Sequence, residues 1–364
     1  MEPWKWIALA ALMLVIGFLV IERPPPAVVE VSFSHDDATL AGTLTLPAGD
    51  GPHPAVILIS GSGPQNRDEE IPGVPGYLPF RWIADHLARR GVAVLRYDDR
   101  GVGDSTGDHA TATTADFADD AEAAFKYLQG RKEIDPNQVG FLGHSEGATV
   151  AAMVAARNPD VAFVIAMAGP AVNGYALILK QVERLARVGG ASDDQVAEAL
   201  RQQRTVLDLA QAQDWEALEG YLHSLITAQL QGLPDRHKAA LGDLEAIARQ
   251  RVAPQMAAFR SPWYQFFLNH DPARDWEQVT VPVLALFGKR DVQVDVDQNR
   301  PPLEAALARA GNPDVTVVVF PTANHLFQSA TTGGLDEYAV LAKEFVPGFL
   351  NTISDWLLAR VRTR

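Results

Sequence analysis

The sequence of 364 residues contains no cysteine. Disulfide bridges, thiolate metal sites and a cysteine nucleophile are therefore excluded together. Basic residues are also scarce, because 31 Lys and Arg stand against 45 Asp and Glu and give a net charge of −14. No basic run is interleaved with aromatic residues, so the sequence disfavours nucleic acid as a partner. No cluster of metal-ligating residue types stands out, and we expect neither a metal nor an organic cofactor.

One long apolar run lies near the N-terminus, over residues 6–21, and three prolines at 24–26 follow it. Its length falls between the apolar core of a signal peptide, about 7–15 residues, and a spanning helix, about 17–25. No small-x-small cleavage pattern directly precedes the prolines, which favours an uncleaved anchor. We predict that residues 1–26 are a membrane anchor or signal segment and that the protein is exported, periplasmic or extracytoplasmic, with inner-membrane anchoring by residues 6–21.

Beyond the prolines, short apolar stretches alternate with helical patterns. Segments 28–33 and 39–46 alternate apolar and polar residues as paired antiparallel strands do. A wholly apolar run, typical of a buried strand, occurs at 55–59, and further strand patterns occur at 92–97, 139–142 and 161–167. Helical patterns occur at 81–90, 114–129 and 146–157. This alternation predicts the α/β class, with a mostly parallel central sheet and helices on both faces.

The alternation stops at about residue 172, and the next ninety or so residues are nearly all helical in pattern, with helices at 175–188, 195–211 and 215–230. The alternation of strands and helices then resumes, with strand 281–287, helix 303–310, strand 315–320 and helix 347–360. We expect a helical cap (172–275) between two parts of one core (27–171 and 276–364). Ligands of open α/β sheets bind at the carboxyl edge that such a cap would cover. A second domain unrelated to catalysis is the alternative.

A G-H-S-E-G motif at residues 143–147 lies directly between an apolar strand and a small-residue helix. A serine on a sharp strand-to-helix turn has strained backbone angles, and the flanking glycines make room for it. The turn also points the amide of the next residue toward developing negative charge. Ser145 is therefore the candidate nucleophile, and the backbone amide of Glu146 is a candidate oxyanion donor.

The hydroxyl of a serine needs a base to take its proton. Where the serine occupies such a turn, the acid and then the histidine follow it along the chain. Among nine histidines, His325 lies in a loop just after strand 315–320, from which its imidazole could reach back over the sheet edge. His144 is adjacent to Ser145, and we expect its side chain to face away. His325 is the candidate base.

The base needs a carboxylate that holds its tautomer. Asp291 follows strand 281–287 almost at once and is the candidate acid. Asp295 and Asp297 are close rivals, and a shift to either of them stays open.

Two further segments bear on the site. The glycine-rich loop S-G-S-G-P at 60–64 can approach a carbonyl oxygen closely. Its Ser62 amide is the favoured second oxyanion donor, with Gly61 and Gly63 open and a plain turn as the alternative. An aromatic cluster at 261–267 offers Trp263, Phe266 and Phe267 as possible pocket residues, although core packing explains it equally well.

The loop at 97–105 also follows a buried strand. We interpret it as a structural loop in which Asp99 and Arg100 fix neighbouring turns.

Five motifs together resemble bacterial α/β-hydrolases of the carboxylesterase and serine-aminopeptidase-like branch. They are G-S-G-P-Q-N-R-D at 61–68, R-Y-D-D-R-G at 96–101, G-H-S-E-G at 143–147, M-A-G-P at 167–170 and N-H-L-F-Q at 324–328. The resemblance implies the α/β-hydrolase fold and esterase activity on short-chain carboxylic esters, with Ser145, Asp291 and His325 as the triad. One departure is Asp295, where the family often has proline.

These observations predict a hydrolase that cleaves small-molecule carboxylic esters through an acyl-enzyme. A peptidase or amidase and an acyl thioesterase are the rival enzymes, and a non-catalytic binding module is the remote alternative. An aminopeptidase would need pocket carboxylates to bind the substrate amine. A thioesterase would be expected to carry basic residues for the phosphates of a coenzyme, and no basic cluster lies near the catalytic motifs.

Overall fold

An eight-stranded sheet lies at the centre of the protein in a computed structural model that describes residues 24–71 and 73–361. The strands are β1 (Ala27–His35), β2 (Ala38–Leu46), β3 (His53–Ile59), β4 (Ala93–Tyr97), β5 (Ile134–His144), β6 (Val164–Met167), β7 (Val283–Gly288) and β8 (Val315–Phe320). Their order is β1-β2-β4-β3-β5-β6-β7-β8. Strand β2 pairs antiparallel with both neighbours, and β3 to β8 run parallel. The predicted fold class is confirmed.

The central parallel strands are buried along their whole length because helices cover both faces of the sheet. These helices are α1 (Pro79–Arg89), α2 (Thr114–Gln129), α3 (Glu146–Arg157), α11 (Val296–Arg309) and α12 (Phe349–Val361). A capping box between Thr113 and Asp116 starts α2. Helix α11 begins at Val296, well before the predicted residue 303. The predicted start was too late because Pro301 and Pro302, which lie inside the helix, resemble a helix break in the sequence.

Between β6 and β7 the chain forms a helical cap. Its helices are α4 (Gly174–Val188), α5 (Asp193–Gln211), α6 (Trp215–Gln231), α7 (Asp235–Leu241), α8 (Leu244–Arg260), α9 (Pro262–Asn269) and α10 (Pro272–Trp276). The first three were predicted, and a capping box between Ser192 and Gln195 starts α5. Helices α7 and α8 lie in the stretch predicted to be nearly all helical, but they were not delimited, and Pro254 interrupts the pattern of α8. Helices α9 and α10, which each begin with a proline, were missed. The cap has an apolar core of its own around Leu207.

The domain boundaries stay predictions. The predicted anchor or signal segment lies outside the described residues, except for its three prolines. Among the residues that the structure describes, no helix has both the length and the apolar character needed to span a bilayer.

Four loops at the carboxyl ends of parallel strands carry the predicted site residues. Ser60 to Ser62 follow β3, Ser145 follows β5, Asp291 follows β7 and His325 follows β8. Because carboxyl ends of parallel strands lie at one edge of a sheet, residues far apart in sequence meet there.

Candidate active site

The backbone of Ser145 has φ 53° and ψ −118°, between the end of β5 and the start of α3. A positive φ is costly for a residue with a Cβ, and it persists only where surrounding structure enforces it. The amide of Ser145 donates to the carbonyl of Met167 at 2.8 Å, which ties the turn to the neighbouring strand. The side chain is half-buried and lines a cavity.

Close packing explains the two glycines of the motif. A Cβ on Gly143 would lie 2.0 Å from the carbonyl oxygen of Gly147. A Cβ on Gly147 would lie 2.2 Å from the carbonyl oxygen of Ile59 in β3. Neither position can therefore hold a side chain while the strand, the turn and the helix keep their places.

His325 and Asp291 form a buried pair. The Nδ1 atom of His325 lies 2.8 Å from Oδ2 of Asp291, and the two residues are 5% and 1% exposed. The other oxygen of Asp291 accepts the amides of Gln293 at 2.7 Å and Val294 at 2.9 Å. A carboxylate facing Nδ1 favours the tautomer with its proton there, so the lone pair is on Nε2. His325 and Ser145 line the same cavity.

The two rival carboxylates have other partners. Asp295 caps helix α11 by accepting the amide of Gln298 at 3.0 Å, and it pairs with Arg184 at 3.2 Å. Asp297 pairs with Lys289 on the surface at 2.7 Å. The structure therefore brings Asp291 to His325, while Asp295 caps the start of a helix.

The candidate oxyanion donors differ in whether their amides are already engaged and whether their residues line the cavity. The amide of Gly61 is engaged, because it donates to Oε1 of Glu69 at 2.9 Å. Ser62 and Glu146 line the cavity, whereas Gly63 is not among its described lining residues. The amide of Glu146 is the first of helix α3 and has no intrahelical acceptor. Ser62 and Glu146 stay the predicted donors.

Asp99 holds the loop that carries Ser62. Its carboxyl oxygens accept the hydroxyl of Ser60 at 2.8 Å and the amide of Gln65 at 2.9 Å. Asp99 is half-buried as a residue, and burial of its carboxyl group raises the pKa to about 8. Next to it, Arg100 makes two 2.7 Å bonds to Asp120. These contacts are those of the structural loop that the sequence predicted.

The cavity at this edge has a volume of about 420 Å³ and opens between the sheet and the cap. Trp263, Phe266 and Phe267, the predicted pocket residues, all line it. Trp263 stacks on Phe267 with 5.1 Å between ring centroids and an interplanar angle of 5°. Other cap residues on the wall, which the sequence analysis did not single out, are Leu177, Ile178, Gln181, Tyr264 and His270.

The expectation that His144 faces away is wrong. Its ring lies beside that of His325, with centroids 4.8 Å apart, and its Nδ1 is 2.7 Å from Oε1 of Glu69. Glu69 was not singled out from the sequence at all. Its only sequence signal is that it follows the conspicuous motif at 61–68, and a single acidic residue in a loop gives no indication of burial.

Solved structures and a family profile share this architecture. The chain superimposes on an esterase of Pyrococcus furiosus with a TM-score of 0.54 and 16% identity, over 92% of this chain and 91% of the other. It superimposes on the alpha/beta hydrolase GrgF of Penicillium sp. sh18 with a TM-score of 0.54 and 17% identity, over 93% and 99%. The profile described as "Serine aminopeptidase, S33" matches residues 79–226. The chain has the α/β-hydrolase fold.

Among curated proteins, this protein is similar to Esterase EstD of Thermotoga maritima, with 29% identity over 303 residues. The match spans 82% of this chain but 61% of the length of EstD. The resemblance to the carboxylesterase and serine-aminopeptidase-like branch is thereby confirmed.

Proposed function

We propose that this α/β-hydrolase cleaves carboxylic esters, with Ser145 as nucleophile, His325 as base and Asp291 as the residue that orients the base. The observation that carries the proposal is the meeting of a serine on a positive-φ turn with a buried His–Asp pair at one cavity. The similarity to EstD supports an ester as the substrate.

In the proposed reaction, Oγ of Ser145 attacks the ester carbonyl carbon while Nε2 of His325 takes the hydroxyl proton. Asp291 stabilises the imidazolium, and the amides of Ser62 and Glu146 donate to the oxyanion. Collapse of the tetrahedral intermediate breaks the bond to the alkoxy oxygen, which leaves as the alcohol with the proton from His325. Water, deprotonated by His325, then attacks the acyl-enzyme, releases the carboxylic acid and restores Ser145.

The cavity favours an uncharged substrate with an apolar group. Its cap wall is aromatic and aliphatic, and none of the described residues that line it is lysine or arginine. Two of the described lining residues are carboxylates, Glu69 and Glu146, and one oxygen of each accepts hydrogen bonds from the protein. Oε1 of Glu69 accepts from Gly61 and lies against His144, and its Oε2 is buried with no hydrogen-bond partner among the described residues. Glu146 accepts from Thr114 at 2.6 Å and from Trp263 at 2.8 Å.

The rival with a specific observation in its favour is a peptidase, because the matching profile is described as a serine aminopeptidase. An aminopeptidase must bind the ammonium group of its substrate. Oε1 of each cavity carboxylate already accepts hydrogen bonds from the protein and Oε2 of Glu69 is buried, which argues against that. Assays of p-nitrophenyl butyrate, aminoacyl p-nitroanilides and acyl thioesters side by side test the choice. We expect the ester to give the highest kcat/KM. An aminoacyl amide hydrolysed fastest would replace the esterase proposal by the peptidase.

We also infer that the protein is exported and held at the inner membrane by residues 6–21. The support is the unbroken apolar run with a proline spacer behind it. The test compares the full chain with a chain that starts at Pro24, both produced in a Gram-negative host. We expect the full chain in carbonate-washed membranes and accessible to protease in spheroplasts, and the shortened chain in the cytosol. Full chain recovered in the cytosol would refute the inference.

A further inference from the structure

A second buried imidazole–carboxylate pair lies behind Ser145, and the proposed reaction does not use it. Glu69 is 1% exposed and His144 is 4% exposed. Nδ1 of His144 lies 2.7 Å from Oε1 of Glu69. Burial by itself would lower the pKa of His144, but the charge and the hydrogen bond of Glu69 raise it above its usual value. The two side chains are therefore joined by a hydrogen bond inside the protein.

Each end of this pair is bonded to a different catalytic loop. Nε2 of His144 lies 3.0 Å from the carbonyl oxygen of His325, and since a carbonyl only accepts, Nε2 is the donor. At the other end, the amide of Gly61 donates to Oε1 of Glu69 at 2.9 Å. One line of hydrogen bonds thus runs from the loop of Ser62, through Glu69 and His144, to the main chain of His325.

This line passes directly behind the nucleophile. A Cβ on Gly61 would lie 3.3 Å from Cβ of Ser145, so the two loops touch at the turn. The rings of His144 and His325 lie with their centroids 4.8 Å apart at an angle of 41°. A displacement of the pair would therefore move the oxyanion loop and the catalytic imidazole relative to Ser145.

The segment that contains Glu69 has a strained backbone angle and a second hydrogen bond to the His325 loop. Glu69 has φ 53°, a left-handed conformation that is costly for glutamate and that the surrounding contacts maintain. From the same segment, the buried hydroxyl of Tyr77 donates to the carbonyl of Leu326. The carbonyls of His325 and Leu326 are thus both fixed from outside their own loop.

We propose that Glu69 and His144 are positioning residues that hold the His325 loop and the Ser62 loop in register around Ser145. Both residues also line the cavity, but their hydrogen bonds go to the main chain of the two loops, and it is through these bonds that they act. This inference rests on the proposed serine-hydrolase function.

Glu69→Gln tests it with little change of shape. A glutamine amide and a neutral imidazole cannot keep all three hydrogen bonds at once. If the imidazole carries its proton on Nδ1, the His325 carbonyl loses its donor. If the proton is on Nε2, Nδ1 must accept from the glutamine NH2 group, and the Gly61 amide loses its acceptor. We expect kcat for p-nitrophenyl butyrate to fall about 10–100-fold, as for other partners that orient functional histidines. KM should change less than about twofold, because glutamine keeps the shape of Glu69 on the cavity wall while the two loops lose their shared contact.

Glu70→Gln is the matched control, because Glu70 is the adjacent, exposed acid and its kcat should stay within about twofold of the wild type. His144→Gln removes the other half of the pair. If the pair acts as one unit, the double variant loses no more kcat than the worse single variant. Should Glu69→Gln fail to fold, His144→Gln against Glu70→Gln carries the test. Unchanged kcat in a folded variant, or losses that multiply in the double variant, would overturn the proposal.

Fluorophosphonate labelling of Ser145 separates this inference from the proposed function, because it needs an activated serine but no ester substrate. We expect the wild type to label and Glu69→Gln to label about 10–100-fold more slowly. No labelling of the wild type would sink the serine-hydrolase proposal. Equal labelling rates in wild type and variant would sink the positioning proposal alone.

Discussion

The indole N–H of Trp263 in the cap donates to Oε1 of Glu146 at 2.8 Å, across 117 residues of sequence. Glu146 directly follows Ser145, and the same oxygen accepts the hydroxyl of Thr114 at 2.6 Å. The cap is thereby bonded to the turn that carries the nucleophile. A displacement of helix α9 in the cap would consequently pull on Glu146, the first residue of helix α3.

Trp263→Phe should lower kcat/KM for p-nitrophenyl butyrate about tenfold. Phenylalanine keeps a ring against Phe267 but removes the donor, and a hydrogen bond to a charged group contributes about 1.5–3 kcal/mol. Steady-state kinetics measures the effect. Trp215→Phe, in the cap core away from the cavity, should keep kcat/KM within about twofold. Equal values for the two variants would contradict a role for the Trp263–Glu146 bond.

Asp291→Asn should reduce kcat about 10³–10⁴-fold while the fold is kept, because an amide no longer stabilises the imidazolium of His325. The measurement is kcat together with the far-UV circular dichroism spectrum. Asp297→Asn is the control, since that carboxylate pairs with Lys289 at the surface. Loss of activity in Asp297→Asn with activity kept in Asp291→Asn would show that Asp297, and not Asp291, orients His325.

Gly143→Ala should be strongly destabilised, by more than about 3 kcal/mol, because the added Cβ would lie 2.0 Å from the carbonyl oxygen of Gly147. Urea unfolding gives the free energy of unfolding. Gly220→Ala, in helix α6 with open space around it, should instead be stabilised by about 0.5–1 kcal/mol. A Gly143→Ala protein as stable as wild type would show that the turn is looser than described.

Asp99 should make the protein less stable as the pH rises. Its pKa is raised from 3.8 to about 8 by burial, so between these values the folded state keeps a proton that the unfolded chain has lost. This contribution is present below about pH 4 and is lost as the pH rises through about 8. Asparagine does not titrate.

The free energies of unfolding in urea at pH 5 and pH 9 test this prediction. Asp99→Asn should lose at least about 1 kcal/mol less than the wild type over that interval. Asp297→Asn, which changes a surface carboxylate, should follow the wild type. Parallel loss in all three proteins would mean that Asp99 is ionised throughout.

The parts of the site that could be predicted from sequence are those with local signals. The G-H-S-E-G turn joins a strand to a helix, and Asp291 and His325 lie in loops after strands, so their placement follows from the sheet alone. The contacts of Glu69 with His144 and of Trp263 with Glu146 join segments 75 and 117 residues apart. No periodicity or spacing reports such pairs, because they depend on how loops and cap fold over the edge.

The most direct test of the central claim is the turnover of p-nitrophenyl butyrate by the wild type and by Ser145→Ala. If Ser145 is the nucleophile of an ester hydrolase, the wild type releases p-nitrophenol with saturation kinetics. Ser145→Ala should keep the wild-type circular dichroism spectrum, and its hydrolysis rate should fall to that of spontaneous hydrolysis in buffer. Full activity in Ser145→Ala, or no hydrolysis by a folded wild-type protein, would contradict the account.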